Sequence, residues 1–264
     1  MILPDDAAPA LHVTESGPKD GPVVVFAHAL GTDLTMWDAM LPYLPDTLRL
    51  VRLDMRGHGQ SPCPDGPYPM GNLVEDAARA LDRLGVKACV FVGLSIGGII
   101  AQGLAAERLD LVRGLVLSNT ATKIATPAIW RDRIEEVHRG GIEAIADATL
   151  ERWFSRATLR THPDRVANVR ARLLATPLKG YLGAMEAIAE TDLYESTARL
   201  RLPTLVIAGS EDGSTPADLV RETAGLIPGA QFELIRGTGH LPPVERPEEV
   251  ARLLTTFLTG IGHV

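Results

Sequence analysis

The sequence predicts an α/β protein with a mainly parallel sheet, helices on both faces of that sheet and an inserted block of helices. Short continuous apolar runs alternate with segments of helical periodicity, which is typical of parallel strands covered on both faces. The alternation stops between residues 121 and 195, where only helical periodicity remains. Because this interval is too long for a simple crossover, we expect residues 1–120 and 196–264 to form the core and residues 121–195 a helical cap.

The predicted elements follow one another regularly on either side of the cap. An alternating stretch predicts an edge strand at 11–15, and a continuous apolar run predicts a strand covered on both faces at 23–27. Further strands are predicted at 48–53, 88–94, 114–118, 203–209 and 231–235. Periodicity predicts an amphipathic helix through Trp37 and Met40 to about Leu44. Further helices are predicted over 73–84, from Ser95 to about Glu107, up to about Leu226, and from Pro247 to about Leu258. Ligands of such sheets bind beyond the carboxyl ends of the strands, so functional residues are expected there.

Charge and composition exclude several classes of partner. The chain has 264 residues and a net charge of −7, and no basic block suits it to bind nucleic acid. No apolar run is long enough to span a membrane, and the segment from Met1 to Asp6 lacks the basic start and apolar core of a signal peptide. The two cysteines, Cys63 and Cys89, do not make a disulfide framework. We therefore expect a cytoplasmic protein without a nucleic-acid or membrane partner; nothing in the sequence indicates its oligomeric state.

A serine lies at the apex of a sharp turn after the strand at 88–94. The segment Gly93-Leu94-Ser95-Ile96-Gly97-Gly98 joins this strand to a helix that begins with small residues. Glycines suit such a turn because the backbone is strained and neighbouring elements pass close to it. A serine at the apex projects its hydroxyl away from the sheet, beside a helix N-terminus that stabilises negative charge. The pattern predicts a nucleophile; the alternative is a buried strand followed by a small-residue turn.

An acid and a histidine follow Ser95, each at the end of a predicted strand. Asp212 is favoured over the adjacent Glu211 because it lies three residues after the strand-ending Gly209 and four before a proline. The alternative role for either carboxylate is a charge at a helix N-terminus. His240 follows the strand at 231–235. The chain order of serine, acid and histidine is one of three known orders for a catalytic triad, and His240 would act as the general base and then the general acid.

Two backbone amides complete the predicted site. The N–H groups of Leu30 and Ile96 are expected to form an oxyanion hole, the first from the loop after the strand at 23–27 and the second from the residue after the nucleophile. His28 and His58 also lie near strand ends but precede Ser95, so we expect His28 to support the oxyanion loop and His58 a tight turn. The sequence has no metal-ligand cluster, phosphate-binding loop or dinucleotide fingerprint, so neither a metal nor a cofactor is expected.

Several stretches resemble the 3-oxoadipate enol-lactonases of the α/β-hydrolase superfamily, whose fold this resemblance implies. The resemblance spans nearly the whole chain and is carried by residues 30–38, 54–61, 93–98, 117–124, 130, 153–154 and 180–181. Its most discriminating part is the segment from Ser118 to Ile124, S-N-T-A-T-K-I. One departure is His28-Ala29, where these relatives often carry Asn-Ser. Dehalogenases and epoxide hydrolases of the superfamily have an aspartate in place of Ser95, which argues against both activities.

The resemblance implies hydrolysis of 3-oxoadipate enol-lactone to 3-oxoadipate in the β-ketoadipate pathway of aromatic degradation. This small anionic lactone suggests Trp130, Arg133 and Lys123 as substrate-binding residues; the alternatives are a packing role for the tryptophan and solvated charges for the two cations. Residues 121–195 contain 11 Lys and Arg against 11 Asp and Glu, so the negative charge of the chain lies outside the cap. A cap that is less negative than the core favours the entry of an anion.

Other functions remain open at this point. The same triad would serve a cofactor-free haloperoxidase-like perhydrolase or a general esterase of small esters and lactones. A ligand-sensing homologue that does not turn over its ligand is a third possibility, for which the sequence has no positive sign. The segment from Ser118 to Ile124 and the cap favour the enol-lactonase.

Overall fold

The computed structural model describes residues 9–264 and contains a seven-stranded sheet in the order β1-β3-β2-β4-β5-β6-β7. The strands are β1 (Val13–Ser16), β2 (Val23–Ala27), β3 (Arg49–Leu53), β4 (Cys89–Leu94), β5 (Val112–Ser118), β6 (Thr204–Gly209) and β7 (Gln231–Ile235). β1 is antiparallel to β3 at one edge, and all other pairs are parallel. The predicted α/β fold with a mainly parallel sheet is therefore confirmed. The segment from Met1 to Asp6, for which a signal peptide was not expected, lies outside the described residues.

Eleven α-helices accompany the sheet in residues 9–264. They are α1 (Met70–Arg83), α2 (Ile96–Glu107), α3 (Pro127–Gly140), α4 (Glu143–Trp153), α5 (Arg156–Thr161), α6 (Pro163–Ala175), α7 (Leu178–Glu190), α8 (Tyr194–Ala198), α9 (Ala217–Leu226), α10 (Pro242–Glu245) and α11 (Pro247–Gly260). Six of them, α3 to α8, lie between β5 and β6, where the sequence shows helical periodicity alone. The division of the chain into a core and a cap remains a prediction.

The central strands are apolar because helices cover them. Every residue of β2, β4 and β6 is buried, α2 packs on β4 and β5, and α9 packs on β6. Burial raises the pKa of the Cys89 thiol in β4 to about 12, and neither this cysteine nor Cys63 is in a disulfide. None of the helices in the described part of the chain combines the length and the apolar composition that a membrane span requires.

The predicted amphipathic helix through Trp37 and Met40 is wrong. The structure has two short 3₁₀ helices there, Leu34–Trp37 and Leu41–Tyr43. Pro42 has no N–H to donate to the preceding turn, which prevents a continuous α-helix. Trp37 and Met40 are nevertheless fully buried, and the Trp37 ring packs 5.2 Å from that of Phe26. The apolar spacing therefore indicated the buried face correctly but not the type of helix.

Candidate active site

Ser95 is held in a strained turn between β4 and α2. Its φ is 57° and its ψ is −119°, a backbone conformation that residues with a side chain rarely adopt. A Cβ on Gly93 would lie 2.1 Å from the Gly97 carbonyl oxygen, and a Cβ on Gly97 would lie 2.3 Å from the Ala27 carbonyl oxygen. Only glycine permits backbones to approach so closely, so these two positions bring the serine turn against the end of β2.

The amides of Leu30, in the loop after β2, and of Ile96, directly after Ser95, are both free. Within residues 9–264, neither N–H group has a hydrogen-bond partner, and Leu30 lines the same cavity as Ser95. Ile96 is the first residue of α2, whose N-terminus carries partial positive charge. The arrangement therefore leaves both predicted oxyanion donors available for a ligand.

The direction of the Leu30 amide is fixed by the carbonyl on the other side of its peptide bond. The Ala29 carbonyl oxygen accepts hydrogen bonds from His28 Nδ1 at 2.8 Å, Thr32 Oγ1 at 2.8 Å and Thr32 N at 3.2 Å. In a trans peptide the C=O and N–H groups point in opposite directions, so holding one orients the other. The Met55 N–H donates to His28 Nε2 at 3.0 Å, which fits a neutral imidazole with its proton on Nδ1. These bonds support the expected role of His28.

A second buried imidazole, His58, lies beside His28 with 5.4 Å between ring centroids. Burial, followed by repulsion from His28, lowers the pKa of His58 to about 3. The unfolded chain therefore takes up a proton on this residue near pH 6.5, whereas the folded chain takes it up only near pH 3. The free energy of unfolding is therefore unaffected by His58 above pH 6.5 and decreases as the pH falls from 6.5 to about 3.

We expect this difference to lower the free energy of unfolding by about 4 kcal/mol between pH 7 and pH 3. Chemical denaturation over this range should show a shallower loss for His58→Gln than for the parent chain. The matched control is His138→Gln, because His138 is exposed. If the His58→Gln and parent curves run parallel, the assigned acid sensitivity is wrong.

Asp212 and His240 are brought together by the loops after β6 and β7. Asp212 Oδ2 lies 2.8 Å from His240 Nδ1, and both residues are buried. The competing Glu211 is exposed and accepts a hydrogen bond from Arg156 N instead. Of the two adjacent acids, Asp212 is therefore the one that can orient the imidazole.

The Asp212 carboxylate is held ionised by its donors. Oδ2 accepts from Asn119 Nδ2 at 2.7 Å and Thr215 Oγ1 at 2.6 Å, and Oδ1 accepts from the N–H groups of Ser214 and Thr215. Burial alone would raise the pKa of Asp212, but His240 and the side-chain donors outweigh it, so the pKa is lowered. An ionised partner stabilises the imidazolium that forms when His240 accepts a proton.

Ser95 and His240 line one cavity of about 180 Å³. Within residues 9–264, Ser95 Oγ and His240 Nε2 make no hydrogen bond to each other or to another group, so both are free to act on a ligand. The other lining residues come mainly from the helices between β5 and β6: Leu30, Ile124, Trp130, Arg133, Glu136, Ile145, Ala148, Thr149, Arg152, Trp153, Tyr181, Met185, Ile188, Ser214 and Thr215. The volume is below the 300–1,000 Å³ typical of drug-sized ligands and suits a small substrate.

Two guanidinium groups, those of Arg133 and Arg152, reach this cavity. Burial and then repulsion from Arg152 lower the pKa of Arg133. Burial raises the pKa of the Tyr181 hydroxyl, although both arginines act against this shift. The Arg152 Nε atom is buried and has no hydrogen-bond partner among the described residues. Among the described residues that line the cavity, the exposed Glu136 is the only acid, so the two arginines leave the lining with a net positive charge that favours an anion.

The structure places the three predicted substrate-binding residues differently. Arg133 lines the cavity, with its guanidinium 5.2 Å from the centre of the Trp130 ring. Trp130 also lines it, but its indole N–H donates to the Ile124 carbonyl at 2.6 Å and is not available to a ligand. Lys123 lies outside the cavity and pairs with Asp192 at 3.0 Å. Its predicted contact with the substrate is not supported by this position.

Sequence reasoning missed Asn119, Thr215, Arg152 and Tyr181 as site residues. Asn119 directly follows β5, so the rule that places ligands at strand ends indicated it. Arg152 and Tyr181 lie within α4 and α7, where nothing in the sequence separates a cavity-lining residue from a solvated one.

A parallel sheet that brings a serine turn, an aspartate and a histidine to its carboxyl edge defines an α/β hydrolase. Residues 22–247 match the family described as alpha/beta hydrolase fold, and the chain belongs to this family of hydrolases.

Within that family the chain resembles the 3-oxoadipate enol-lactonases. It is 34% identical to 3-oxoadipate enol-lactonase 1 of Acinetobacter baylyi, over 99% of this chain and 97% of that protein. The crystal structure of the enol-lactonase from Burkholderia xenovorans LB400 superposes with a TM-score of 0.92 and 33% identity, over 96% of this chain and 98% of the other. A thermophilic esterase from Thermogutta terrifontis, with malate bound, gives a TM-score of 0.90 and 32% identity over 96% and 94%.

Proposed function

We propose that this hydrolase converts 3-oxoadipate enol-lactone to 3-oxoadipate in the cytoplasm, as a step of aromatic catabolism through β-ketoadipate. The observation that carries the proposal is the small positive cavity in which two arginines accompany Ser95 and His240. Similarity to enol-lactonases over nearly the whole chain supports the same substrate.

The proposed reaction uses Ser95, His240 and Asp212 as a triad. His240 Nε2 takes the proton from Ser95 Oγ, which attacks the lactone carbonyl carbon, and the developing oxyanion is stabilised by the N–H groups of Leu30 and Ile96. The bond between this carbon and the ring oxygen then breaks, and His240 returns its proton to the leaving enol oxygen. Water attacks the acyl-enzyme with His240 as base, which releases the carboxylate product and restores Ser95. The enol released from the ring tautomerises to the ketone.

The substrate carboxylate is expected to bind between Arg133 and Arg152. A carboxylate there relieves the repulsion between the two guanidinium groups, and the Arg152 Nε–H lacks a partner within the described residues. An ion pair in a half-buried cavity is screened less than one at the surface. The positive cavity thereby offsets the net charge of −7, which repels anions at a distance.

Arg152→Met should lower kcat/KM for the anionic lactone by about 10- to 100-fold, because a hydrogen bond to a charged group contributes about 1.5–3 kcal/mol. Arg133→Met should have a similar effect. Hydrolysis of a neutral ester such as phenyl acetate should change little in either variant. The matched control is Lys123→Met, since Lys123 lies outside the cavity and should leave both substrates unaffected. Equal losses on the neutral and anionic substrates would refute the carboxylate site.

The proposal is tested directly by the loss of ultraviolet absorbance of the enol-lactone in the presence of the purified enzyme. Rapid turnover is expected. Activity restricted to p-nitrophenyl esters, or to peracid formation with hydrogen peroxide, would overturn the substrate assignment and favour the esterase or the perhydrolase. The esterase is the second candidate because of the likeness to the Thermogutta esterase structure.

A further inference from the structure

A buried carboxylate outside the triad joins the loop of His240 to the helices between β5 and β6. Glu245, the last residue of α10, is only 4% exposed. Its Oε1 accepts from Gly239 N at 2.7 Å, and its Oε2 accepts from Ser155 N at 3.0 Å and Ser155 Oγ at 2.6 Å. Gly239 directly precedes His240, whereas Ser155 caps the N-terminus of α5. The Glu245 side chain therefore binds the backbone of the base loop, which carries His240, and the backbone of the α4–α5 connection, residues 154–155.

The last residue of α4, Trp153, which directly precedes this connection, also touches His240 itself. The His240 N–H donates to the Trp153 carbonyl at 2.7 Å, and the Trp153 ring stacks on the imidazole with 6.1 Å between centroids. A Cβ on Gly239 would lie 2.4 Å from the Trp153 carbonyl oxygen, so the two backbones are in direct contact. The position of the imidazole consequently depends on where this connection lies.

The loop that carries Asp212 is attached to the last turn of α4, directly before this connection. The Gly213 N–H donates to the Arg152 carbonyl at 3.0 Å, next to Asp212. The side chain of Arg152 lines the cavity. Residues 152–155 thus contact the loop that carries Asp212 and the loop that carries His240, and the side chain of Arg152 also reaches the cavity.

We propose that Glu245 is a positioning residue that holds His240 in register with Ser95 by fixing the base loop to residues 153–155. The inference rests on the proposed triad. It predicts that the helices between β5 and β6 support the catalytic step, in addition to enclosing the ligand. Loss of the Glu245 contacts lets the imidazole shift relative to Ser95 Oγ, and small misplacements of a reacting group are costly to the rate.

Glu245→Gln tests this inference with little change in shape. The amide offers one acceptor oxygen, so its NH₂ group must face an N–H or O–H donor at Gly239 or Ser155. We expect kcat to fall by about 10- to 100-fold while KM changes by less than about threefold, and to fall equally for the enol-lactone and for phenyl acetate. Glu248→Gln is the matched control, because Glu248 is an exposed glutamate of α11, and it should leave kcat unchanged.

A fall in kcat with little change in KM distinguishes a positioning role from a purely structural role. A structural role would lower the melting temperature and leave kcat unchanged at temperatures well below it. If Glu245→Gln does not fold, Ser155→Ala gives the answer, because it keeps the Ser155 N–H bond to Glu245 and removes the hydroxyl bond to Glu245, together with the cap bond from Thr158 N. Here kcat should fall by about 3- to 10-fold. Unchanged kcat in the folded variant overturns the inference.

Ser95→Ala, assayed on phenyl acetate in parallel, keeps the two proposals apart. If Ser95→Ala retains activity, the triad itself is wrong. If Ser95→Ala is inactive while Glu245→Gln keeps full kcat, the triad holds and only the positioning role fails.

Discussion

Ser95→Ala is expected to lower kcat for the enol-lactone by at least about 10⁴-fold, because removal of a nucleophile leaves only binding and oxyanion stabilisation. The Ser95 hydroxyl has no hydrogen-bond partner within residues 9–264, so the variant should fold with nearly unchanged stability. The cavity and its two arginines are untouched, so the variant should still bind the substrate.

The measurement is steady-state turnover by ultraviolet absorbance, combined with calorimetric titration of the product into the variant. We expect the Ser95→Ala variant to bind the product but not to turn over the substrate. A kcat within tenfold of the parent would exclude Ser95 as the nucleophile, whereas loss of folding would be detected by the melting curve.

Asp212→Asn should lower kcat by about 10⁴-fold, as loss of the acid does in other triads when the geometry is kept. The present Asp212 Oδ2 accepts from His240 Nδ1, Asn119 Nδ2 and Thr215 Oγ1, so an amide NH₂ in its place would face donors. An amide oxygen there could still accept from Nδ1 but would not stabilise the imidazolium by charge.

The matched control for Asp212→Asn is Glu211→Gln at the adjacent position. Glu211 is exposed, and within residues 9–264 its side chain accepts a hydrogen bond from Arg156 N alone, so we expect kcat to change by less than about twofold. A larger loss in Glu211→Gln than in Asp212→Asn would reverse the assignment of the acid.

Much of the fold was predictable because its central strands are buried on both faces. The apolar run at 23–27 coincides with β2, since continuous burial leaves a continuous apolar pattern. The relation between Ser95, Asp212 and His240 followed from the rule that loops at the carboxyl ends of parallel strands converge. The failed helix through Trp37 shows the limit of the pattern, because apolar spacing records burial and not the hydrogen bonds that define a helix.

The substrate side of the cavity was predictable only in part: Trp130 and Arg133 line it, whereas Lys123 does not, and Arg152 and Tyr181 were missed. Its side chains come from helices whose packing against one another depends on contacts between distant residues. Lys123 and Arg152 look alike in sequence, yet one pairs with Asp192 at the surface and the other lines the cavity. The indole N–H of Trp130 is likewise used by a carbonyl six residues earlier, a local bond that no periodicity indicates.

Because Ser95 has a positive φ, the residue that gives the highest thermal stability at this position is not the residue that catalysis requires. A side chain in this conformation costs about 1–3 kcal/mol, whereas glycine adopts it freely and adds only about 0.5–1 kcal/mol of unfolded-state entropy. A population of variants selected for heat resistance alone would therefore gain by Ser95→Gly and lose its chemistry without any visible damage to the fold. Directed evolution of this hydrolase toward thermostability consequently has to score product formation in every round.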